Sequence, residues 1–575
     1  MRFTHRTVSW LTIALVGLGC AAPRPTADID TAGGQTTQAP TGPKRIVAAM
    51  QGKPVSGYAR LNVNGSERGN NELAEMVHSS LTVADPSGVI HPKLAEAVPS
   101  LDNGLWVVQP DGRMETTWTI RSGAEWHDGT PLTTDDLIFT FRVVNDRELP
   151  IFRNQAYGLV ESVDAVDART VTVRWKQPFI RADGMFGESL GQNTTLAVPL
   201  PRHLLETAYL QDKATFTQLP YFTEEFVGLG PYRLKEWVAA TYVILQANDR
   251  FVLGRPKIDE IEIRTIPDAN AIVANLLSGA VDVIIGRVLS LDHVVQLREL
   301  KPDLLIETPL TSMLVVNPQL LHETNPAVIR DLSFRRAMLH AIDRQELVDT
   351  IEYGLTPVAH GIVYPTLIEG REAERAAIRY EYDPRRAAQM IEGLGYAKAP
   401  DGFYRDASGQ QLRIEIRVTQ GEINPKTMYA VSDFLQRVGI AIDPIVIPIQ
   451  LVNDQQYRAT FPGLIVNGGG GGAAELESFH SSKVRTTETN YAGSNRAGYR
   501  NAQLDAMVDR YLTTIPMDTR LDLARDITRH VTENLPVLPL FFDSWPGAAS
   551  PRLVNARAAS DGAQTWNVRE WDVRS

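Results

Sequence analysis

Residues 255–284, RPKIDEIEIRTIPDANAIVANLLSGAVDVI, encode a strand, a helix and a second strand. Ile261 and Ile263 alternate with polar residues, a pattern that predicts a strand with one buried face. Asp268 is a favoured residue for capping the start of a helix, and Gly279 is suited to ending it. A helical connection of this length joins parallel strands through a right-handed crossover. This stretch therefore predicts a layer of the α/β class.

A second strand, helix and strand lie in the later half of the chain. Residues 412–418 predict a strand, 426–438 an amphipathic helix and 440–447 another strand. The chain has 575 residues, several times the roughly 150 residues of a typical domain. Two such units, far apart in a chain of this length, favour two α/β lobes over a single layer.

The composition excludes several classes of protein. Hydrophobic residues make up 43% and charged residues 22%, which is ordinary for a globular chain and unlike a disordered or polytopic membrane protein. The net charge of −11 is the wrong sign for sequence-independent binding of nucleic acid, so we expect no nucleic-acid partner. The single cysteine, Cys20, leaves no internal disulfide and no multi-thiolate metal site.

The N-terminus has the composition of a bacterial export signal. Arg2 and Arg6 precede an apolar run, residues 8–18, and no acidic residue accompanies them. The run is too short to cross a bilayer as a helix, which needs about 20 apolar residues. We therefore expect a cleaved signal peptide over residues 1–19.

Cys20 follows the tripeptide GLG, a context that resembles the lipobox of bacterial lipoproteins. In those proteins the cysteine thiol is acylated, and the cysteine becomes the new N-terminus. Residues 20–44 are otherwise rich in Pro, Thr, Gly and Ala, which predicts a solvated tether. We expect lipidation of Cys20 and a membrane anchor. Ordinary cleavage is the alternative, because Gly17 stands where a lipobox usually has leucine.

One catalytic pattern occurs, G-x-S-x-G around Ser189. A serine hydrolase holds this motif between a strand and a helix, because the sharp turn must lift the hydroxyl above the sheet. The flanking residues, RADGMF before and QNTTLAVPLP after, fit neither element. The chain also has no dinucleotide fingerprint, P-loop or HExxH motif, and its histidines lack metal-ligand spacing. We therefore predict no catalytic residues, no cofactor and no metal site, with a secreted hydrolase using Ser189 as the alternative.

Several longer motifs occur in the order found in one family of proteins. They are LAEA at 94–97, TTWTIRSGAEWHDGTPLTTDDLIFTF at 116–141, GLGPYRL at 228–234, RDLSFRRAMLHAIDRQELV at 330–348, YDPRRAAQMIEGLGY at 382–396, NRAGYRNAQLDAMV at 495–508 and ENLPVLPLFF at 533–542. Together with residues 255–284, they resemble the extracellular solute-binding proteins of family 5, which include the dipeptide, oligopeptide and nickel-binding receptors of ABC importers. The resemblance covers essentially everything from residue 45 to residue 575.

The resemblance implies a two-lobed α/β fold of the periplasmic-binding-protein kind, type II, with an extra subdomain in the first lobe. A ligand would lie in the cleft between the lobes, which close by a hinge motion. The expected boundaries are residues 45–308 for lobe 1, 79–195 for its inserted subdomain, 309–540 for lobe 2 and 541–575 for a C-terminal return to lobe 1.

The resemblance also implies a function. It predicts an extracytoplasmic substrate-binding lipoprotein of an ABC importer, which captures a peptide-like or other small solute and delivers it to the permease. We expect a monomer in the periplasm or on the cell surface, anchored to the membrane through Cys20, that does not act as an enzyme. A solute receptor that acts in signalling rather than transport is a further alternative, because it would have the same fold.

The expected ligand loop departs from the peptide-binding members of the family. Those members carry a loop rich in Trp and Asp before an NxxGYxN segment, and its aspartate pairs with the ammonium group of the ligand. Here the stretch is Asn467 followed by five glycines, 468–472, with neither Trp nor Asp. Glycines let a backbone approach a ligand closely, so we predict a cleft-lining loop that binds through backbone groups. A flexible solvent loop is the alternative, and Glu475 or Glu477 is a candidate for the missing anion.

Four other side chains are candidates for the cleft. Asn62 and Asn64 follow the first predicted strand, at the end of an α/β sheet where ligands bind, with a polar turn as the alternative. Trp545 either stacks on a ligand or packs between the lobes. Arg496 is suited to bind a carboxylate with two hydrogen bonds, or is a surface arginine. The full set of candidates is Asn62, Asn64, Asn467, Gly468, Gly469, Gly470, Glu475, Arg496 and Trp545.

Overall fold

The computed structural model describes residues 42–58, 67–149, 151, 155–187, 198–557 and 564–574. The expected signal peptide lies outside the described residues, as do Cys20, Asn62, Asn64 and Ser189. In the described residues no helix has the length and apolar character needed to cross a membrane. All described residues from Pro43 onward belong to one compact unit.

Short strands and amphipathic helices alternate along most of the chain. The strands are, in chain order, β1 (Arg45–Met50), β2 (Thr82–Ala84), β3 (Ile90–Pro92), β4 (Trp106–Val108), β5 (Met114–Thr119), β6 (Val160–Ala165), β7 (Thr170–Trp175), β8 (Tyr232–Val238), β9 (Tyr242–Ala247), β10 (Glu260–Thr265), β11 (Val283–Ile284), β12 (Leu305–Glu307), β13 (Leu310–Pro318), β14 (Ala397–Lys398), β15 (Tyr404–Arg405), β16 (Arg413–Val418), β17 (Ala441–Val446), β18 (Leu464–Gly469), β19 (Leu538–Ser544), β20 (Gly547–Ala549), β21 (Leu553–Val554) and β22 (Asp572–Val573). The α-helices are α1 (Asn70–Val77), α2 (Thr134–Asn145), α3 (Arg202–Gln211), α4 (Ala269–Ser278), α5 (Leu291–Leu300), α6 (Leu332–Ala341), α7 (Arg344–Ile351), α8 (Ile368–Ala376), α9 (Pro384–Gly393), α10 (Ile423–Val438), α11 (Gln455–Ala459), α12 (Ala502–Thr513) and α13 (Met517–Asn534).

A seven-stranded mixed sheet has the order β12-β20-β11-β1-β10-β9-β8. β1 lies between β10 and β11 and is parallel to both, and α4 connects those two strands. The side chain of Asp268 accepts a hydrogen bond from the amide of Ala271, and Gly279 ends α4 in the left-handed conformation. The predicted strand, helix and strand of residues 255–284 are therefore confirmed, with β1 inserted between the two strands.

A five-stranded mixed sheet has the order β17-β16-β18-β13-β19. β16 is parallel to β17 and β18, whereas β13 is antiparallel to β18 and β19. Helix α10 connects β16 to β17, which confirms the second predicted unit. One face of this sheet packs against α6, α7 and α10, and the other packs against α12 and α13. Both faces of β13 and β19 are therefore covered.

The chain passes between these two sheets twice. β12 belongs to the seven-stranded sheet and ends at Glu307, and β13 joins the five-stranded sheet at Leu310. β19 leaves the five-stranded sheet at Ser544, and β20 returns to the seven-stranded sheet at Gly547. Because β12 pairs with β20 and β13 pairs with β19, the two crossings run side by side.

A four-stranded antiparallel sheet, β4-β5-β7-β6, forms a third layer with α2. Its core contains the fully buried rings of Trp118, Trp126 and Trp175. Thr133 and Asp136 form a capping box at the start of α2. The strands of this sheet come between β1 and β8 in the chain, so the layer is an insertion between two strands of the seven-stranded sheet.

Candidate functional site

The C-terminal end of β18 lacks one strand neighbour. β16 pairs with β18 only as far as Val466, which lies opposite Val418, whereas β13 stays paired as far as Gly469. In the described part of the chain, the edge of residues 467–469 that faces away from β13 therefore has no strand beside it. Ligands of α/β sheets bind beyond the carboxyl ends of parallel strands, which is where this edge lies. We refer to residues 467–471 as the β18 end.

The glycine run, predicted to be a loop, begins as a strand. Gly468 lies opposite Leu314, and Gly469 lies opposite Met313, in the antiparallel ladder with β13. The loop prediction is therefore wrong for these two glycines, because pairing with a distant strand holds them extended. Gly470 is the first residue beyond the strand and is exposed.

Glycine is required where the run meets Tyr364. The amide of Tyr364 donates a hydrogen bond of 2.5 Å to the carbonyl of Gly471. A Cβ atom at position 471 would overlap the Tyr364 ring. A Cβ atom at Gly470 would lie 3.1 Å from Oε2 of Glu475. The Glu475 carboxylate therefore lies beside the β18 end.

The side chain of Asn467 makes its hydrogen bonds within the sheet. It is buried, and its Oδ1 accepts a hydrogen bond of 2.6 Å from Nδ2 of Asn317. Its own Nδ2 donates to the carbonyl of Gly468 at 2.8 Å. These bonds connect β18 to β13, so the Asn467 side chain stabilises the β18 end.

Glu475 is half-buried in a short helical turn, Ala473–Glu477. Loss of solvent, with a contribution from nearby Glu477, raises the pKa of its carboxyl to about 7, while Ser478 and Arg496 oppose the shift. Glu477 itself pairs with Arg181 at 3.2 Å. Of the two candidate anions, Glu475 therefore lies at the β18 end, and Glu477 is engaged in an ion pair with the segment that follows β7.

Arg496 lies beside a second arginine. Val484 and Asn495 form an isolated parallel bridge, so the residues that follow them, Arg485 and Arg496, occupy matching positions on adjacent backbones. Nε of Arg485 donates to the carbonyl of Gly493 at 2.7 Å. Burial lowers the pKa of Arg485 to about 9, and the positive charge of Arg496 contributes to that shift.

A third arginine, Arg458, approaches from the end of α11. Gln319 donates from Nε2 to the carbonyl of Ala459 at 3.0 Å, and the amide of Leu320 donates to the carbonyl of Ala497 at 2.9 Å. Gln319 and Leu320, which follow β13, therefore bond to the residues that come directly after Arg458 and Arg496. Burial lowers the pKa of Arg496, and the charge of Arg458 adds to this effect, whereas Glu475 opposes it. Arg458, Arg485 and Arg496 are called the arginine cluster below.

The arginine cluster has few internal partners. Nη1 of Arg458 donates to the carbonyl of Val452 at 3.3 Å, but its Nε is buried without a hydrogen bond. Within the described residues, the guanidinium of Arg496 has neither a hydrogen bond nor an ion pair, and no carboxylate is paired with Arg458 or Arg485. A buried guanidinium normally has its N–H donors satisfied, so this cluster is an unusual feature.

Sequence reasoning identified Arg496 but missed Arg458 and Arg485. These residues belong to different segments, and only the tertiary fold brings them together. One sequence signal pointed to Arg485, though not to Arg458: residues 485–500 contain three arginines and one glutamate, in a chain whose net charge is −11. Local charge of the opposite sign to the whole chain is a mark of an anion site.

Trp545 lies at the second crossing between the sheets. The guanidinium of Arg287, which follows β11, stacks 3.4 Å from the centre of the indole ring. The backbone amide of Trp545 donates to Oγ1 of Thr311 at 2.9 Å. One face of the ring is thus covered by the protein itself. Arg287 also interacts electrostatically with Tyr364, so Trp545 is connected to the β18 end through these two side chains.

The chemistry of these residues suits binding. In the described part of the chain, no group of three or more His, Cys, Asp or Glu side chains is placed to hold a metal ion. The β18 end offers backbone groups, one carboxyl that titrates near neutrality and the cationic side chain of Arg496, which interacts electrostatically with that carboxyl. Such a set recognises polar groups on a ligand.

Comparison with known proteins identifies the family. Residues 90–490 match the family described as bacterial extracellular solute-binding proteins, family 5 middle. The oligopeptide-binding protein AppA of Bacillus subtilis is 25% identical over 452 residues, which cover 76% of this chain and 75% of that protein. The family consists of solute-binding proteins and not of enzymes, so the hydrolase alternative at Ser189 does not hold.

Solved structures share the fold. The structure of AppA from Bacillus subtilis in complex with a nonapeptide has a TM-score of 0.66 at 21% identity and covers 93% of this chain and 100% of that one. The structure of NikA from Brucella suis in complex with Fe(III)-EDTA has a TM-score of 0.70 at 19% identity and covers 92% of this chain and 100% of that one.

These likenesses confirm the predicted two-lobed α/β fold of the type II periplasmic binding proteins, with its extra subdomain. The family match covers more than half of the chain, which is sufficient to assign membership. An extracytoplasmic location follows from the family. The chain therefore belongs to the family 5 bacterial extracellular solute-binding proteins.

Proposed function

We propose that this protein is the substrate-binding component of an ABC importer, which captures a peptide-like or other small solute between two α/β lobes and delivers it to a permease. The observation that carries the proposal is the β18 end. An open strand edge, a glycine run and Glu475 lie together there, and Arg496 of the arginine cluster interacts electrostatically with Glu475. No part of the hydrophobic core requires this set of groups, whereas a polar ligand does.

The two lobes are proposed to comprise residues 45–308 and 309–540, with 541–575 returning to the first lobe and an inserted subdomain at 79–195. The side-by-side crossings support these boundaries, because β12 and β13 are separated by two residues and β19 and β20 likewise. Short connections that lie side by side allow a hinge in which few backbone angles change.

The ligands of related structures indicate how broad the solute class is. The AppA complex holds a nonapeptide, and the NikA complex holds Fe(III)-EDTA. The same fold therefore surrounds both an extended chain and a compact chelate. For this protein we propose a small polar solute, with peptides as one possibility among several.

Native mass spectrometry of freshly purified protein tests this function. We expect a single chain carrying one small molecule, which denaturation releases and tandem spectrometry identifies. Adding the released molecule back to emptied protein should raise Tm, since a ligand present at 100 times its Kd adds about 2.7 kcal/mol to the free energy of unfolding. A protein that carries no solute, and that no peptide or metabolite library stabilises, would contradict the proposal.

We also propose that Cys20 is lipidated and that residues 20–44 tether the binding domain to the membrane. Two or more acyl chains anchor a protein stably, whereas one chain binds only marginally. In cells fed labelled palmitate, the wild-type protein should acquire the label and partition into Triton X-114. The Cys20→Ser variant should do neither. Unlabelled wild-type protein in the aqueous phase would favour ordinary cleavage, and label on the variant would show that the acyl chain is not on Cys20.

A further inference from the structure

We infer that the arginine cluster is an anion-binding subsite of the captured solute, so the ligand carries at least one carboxylate or phosphate group. This inference rests on the proposed function and narrows it from any small polar solute to an anionic one. The subsite consists of Arg458, Arg485 and Arg496, with Glu475 at its edge beside Gly470.

The backbone fixes the positions of these arginines. The parallel bridge between Val484 and Asn495 aligns Arg485 with Arg496. The hydrogen bonds from Gln319 and Leu320 hold the end of α11 and the chain after Arg496 at the same point. The three side chains are therefore brought together by the fold and are not independent surface arginines.

Hydrogen bonding gives the second reason. Each guanidinium has five N–H donors in a planar fork that matches a carboxylate or a phosphate. Arg496 uses none of its donors within the described residues and keeps them accessible, whereas Arg458 leaves a buried Nε unpaired. A buried donor without a partner, such as Nε of Arg458, is costly, and an arginine cannot escape this cost by losing its proton. An anion that accepts these hydrogen bonds removes the cost and is bound in pairs of bonds.

The local charge also favours an anionic ligand. The cluster holds three positive charges, and one carboxyl, Glu475, interacts electrostatically with Arg496. Burial raises the pKa of Glu475 to about 7, and its other charged neighbour, Glu477, is paired with Arg181. The region therefore keeps a net positive charge in a chain of net charge −11, which concentrates anions at this point of the surface.

Glu475 makes the expected affinity dependent on pH. When ionised, it attracts Arg496 and repels an incoming anion. When protonated, it leaves Arg496 free for the ligand. Anion binding therefore favours the protonated carboxyl, and by linkage the affinity rises as the pH falls through about 7. The Glu475→Gln variant should bind with the higher affinity at every pH and lose this dependence.

Titration calorimetry with citrate and with inorganic phosphate, as separate probes at low ionic strength, tests the subsite. We expect wild-type protein to bind at least one probe, and Arg496→Gln to weaken that binding roughly tenfold or more. Arg500→Gln is the matched control, because it makes the same charge change on an exposed residue of the same segment and should bind as wild type does. Whichever probe binds better distinguishes a carboxylate ligand from a phosphate ligand.

Circular dichroism melts of each variant establish that the proteins are folded. If Arg496→Gln does not fold, Arg485→Gln takes its place. Equal affinities for wild type and the folded arginine variants, or no binding of either probe by wild type, would overturn the inference. A solute that native mass spectrometry shows to have neither a carboxylate nor a phosphate group, and that Arg496→Gln binds equally well, would overturn it too, while leaving the proposed function intact. Failure of the proposed function is recognised separately, by the absence of any solute.

Discussion

Two groups of arginines are buried in and around the five-stranded sheet, and they differ in how their donors are satisfied. Arg335 and Arg344 are each 5% exposed. Arg335 donates four hydrogen bonds, at 2.7 to 3.1 Å, to the carbonyls of residues 329, 330, 534 and 535. Arg344 donates to the carbonyls of residues 359, 380 and 539 at 2.6 to 3.3 Å. The arginine cluster has no comparable set of acceptors.

This difference separates a structural role from a binding role. Arg335 and Arg344 join helices and strands through backbone carbonyls, and their burial is compensated within the fold. Arg496 is half-buried, yet its guanidinium has no partner among the described residues. A charge of this kind is retained where an external group completes its hydrogen bonds. The two groups should therefore respond in opposite ways to substitution.

The largest effect is expected at Arg335. Arg335→Met fills a similar volume but removes the donor from four carbonyls, two in buried hydrogen bonds and two in partly buried ones. We expect it to lower the free energy of unfolding by about 3–5 kcal/mol, measured by urea denaturation. The neighbouring Arg336 is less buried and donates one hydrogen bond, to the carbonyl of Glu533, so Arg336→Met should cost about 1 kcal/mol. Equal effects at both positions would show that the carbonyl contacts at Arg335 carry no special stability.

Buried carboxyls show how a charge that can be neutralised behaves. Glu352 is fully buried at the end of α7, with one carboxyl oxygen unpaired. Burial raises its pKa to about 8, and Asp543 contributes, while Thr356 and Lys426 oppose the shift. Burial also raises the pKa of Asp543, to about 6. Unlike an arginine, a buried carboxyl avoids the cost of a buried charge by keeping its proton.

The raised pKa values of Glu352 and Asp543 make the free energy of unfolding fall as the pH rises, because between the usual carboxyl range and about pH 8 these groups bind more protons in the folded protein than in the unfolded chain. Burial lowers the pKa values of His78, His127 and His360, which act in the opposite direction below about pH 6.5. The contribution of Glu352 is therefore measured as the free energy of unfolding of wild type minus that of Glu352→Gln, and we expect this difference to fall by about 2 kcal/mol between pH 5 and pH 8. The same difference for substitution of the exposed Glu533 should not change with pH. A Glu352 difference that is flat or rises over this range would contradict the assignment.

The smallest effect on stability is expected at Arg496. Arg496→Gln removes a charge that has no hydrogen bond in the described residues, and it also relieves repulsion from Arg458 and Arg485. We expect the free energy of unfolding of the ligand-free protein to change by less than about 1 kcal/mol, in either direction. Ligand-induced stabilisation should nevertheless be lost. A destabilisation as large as that of Arg335→Met would place Arg496 with the structural arginines.

The parts of the fold that the sequence predicted are those that depend on local rules. Asp268 and Gly279 cap α4 through contacts within a few residues, and the two strand, helix and strand units were found from their periodicity. The family motifs then supplied the two-lobed arrangement, which no local pattern contains. Stretches such as 255–284 are therefore read correctly without knowledge of the rest of the chain.

The parts that were missed depend on distant contacts. Gly468 and Gly469 carry no strand signal of their own and are extended because β13, about 150 residues earlier, pairs with them. Arg458 and Arg485 look like ordinary polar residues until the bridge at Val484 and the hydrogen bonds from residues 319 and 320 bring them to Arg496. Burial of charge is a tertiary property, so composition alone does not reveal it.

A crystal structure of the protein with its co-purified solute tests the central claim most directly. We expect electron density for one small molecule between the two sheets, with an anionic group hydrogen-bonded to the guanidinium of Arg496 and the remainder of the molecule in contact with the backbone at Gly470. Density for a solute elsewhere in the molecule, with Arg496 bonded instead to protein carbonyls as Arg335 is, would contradict the account.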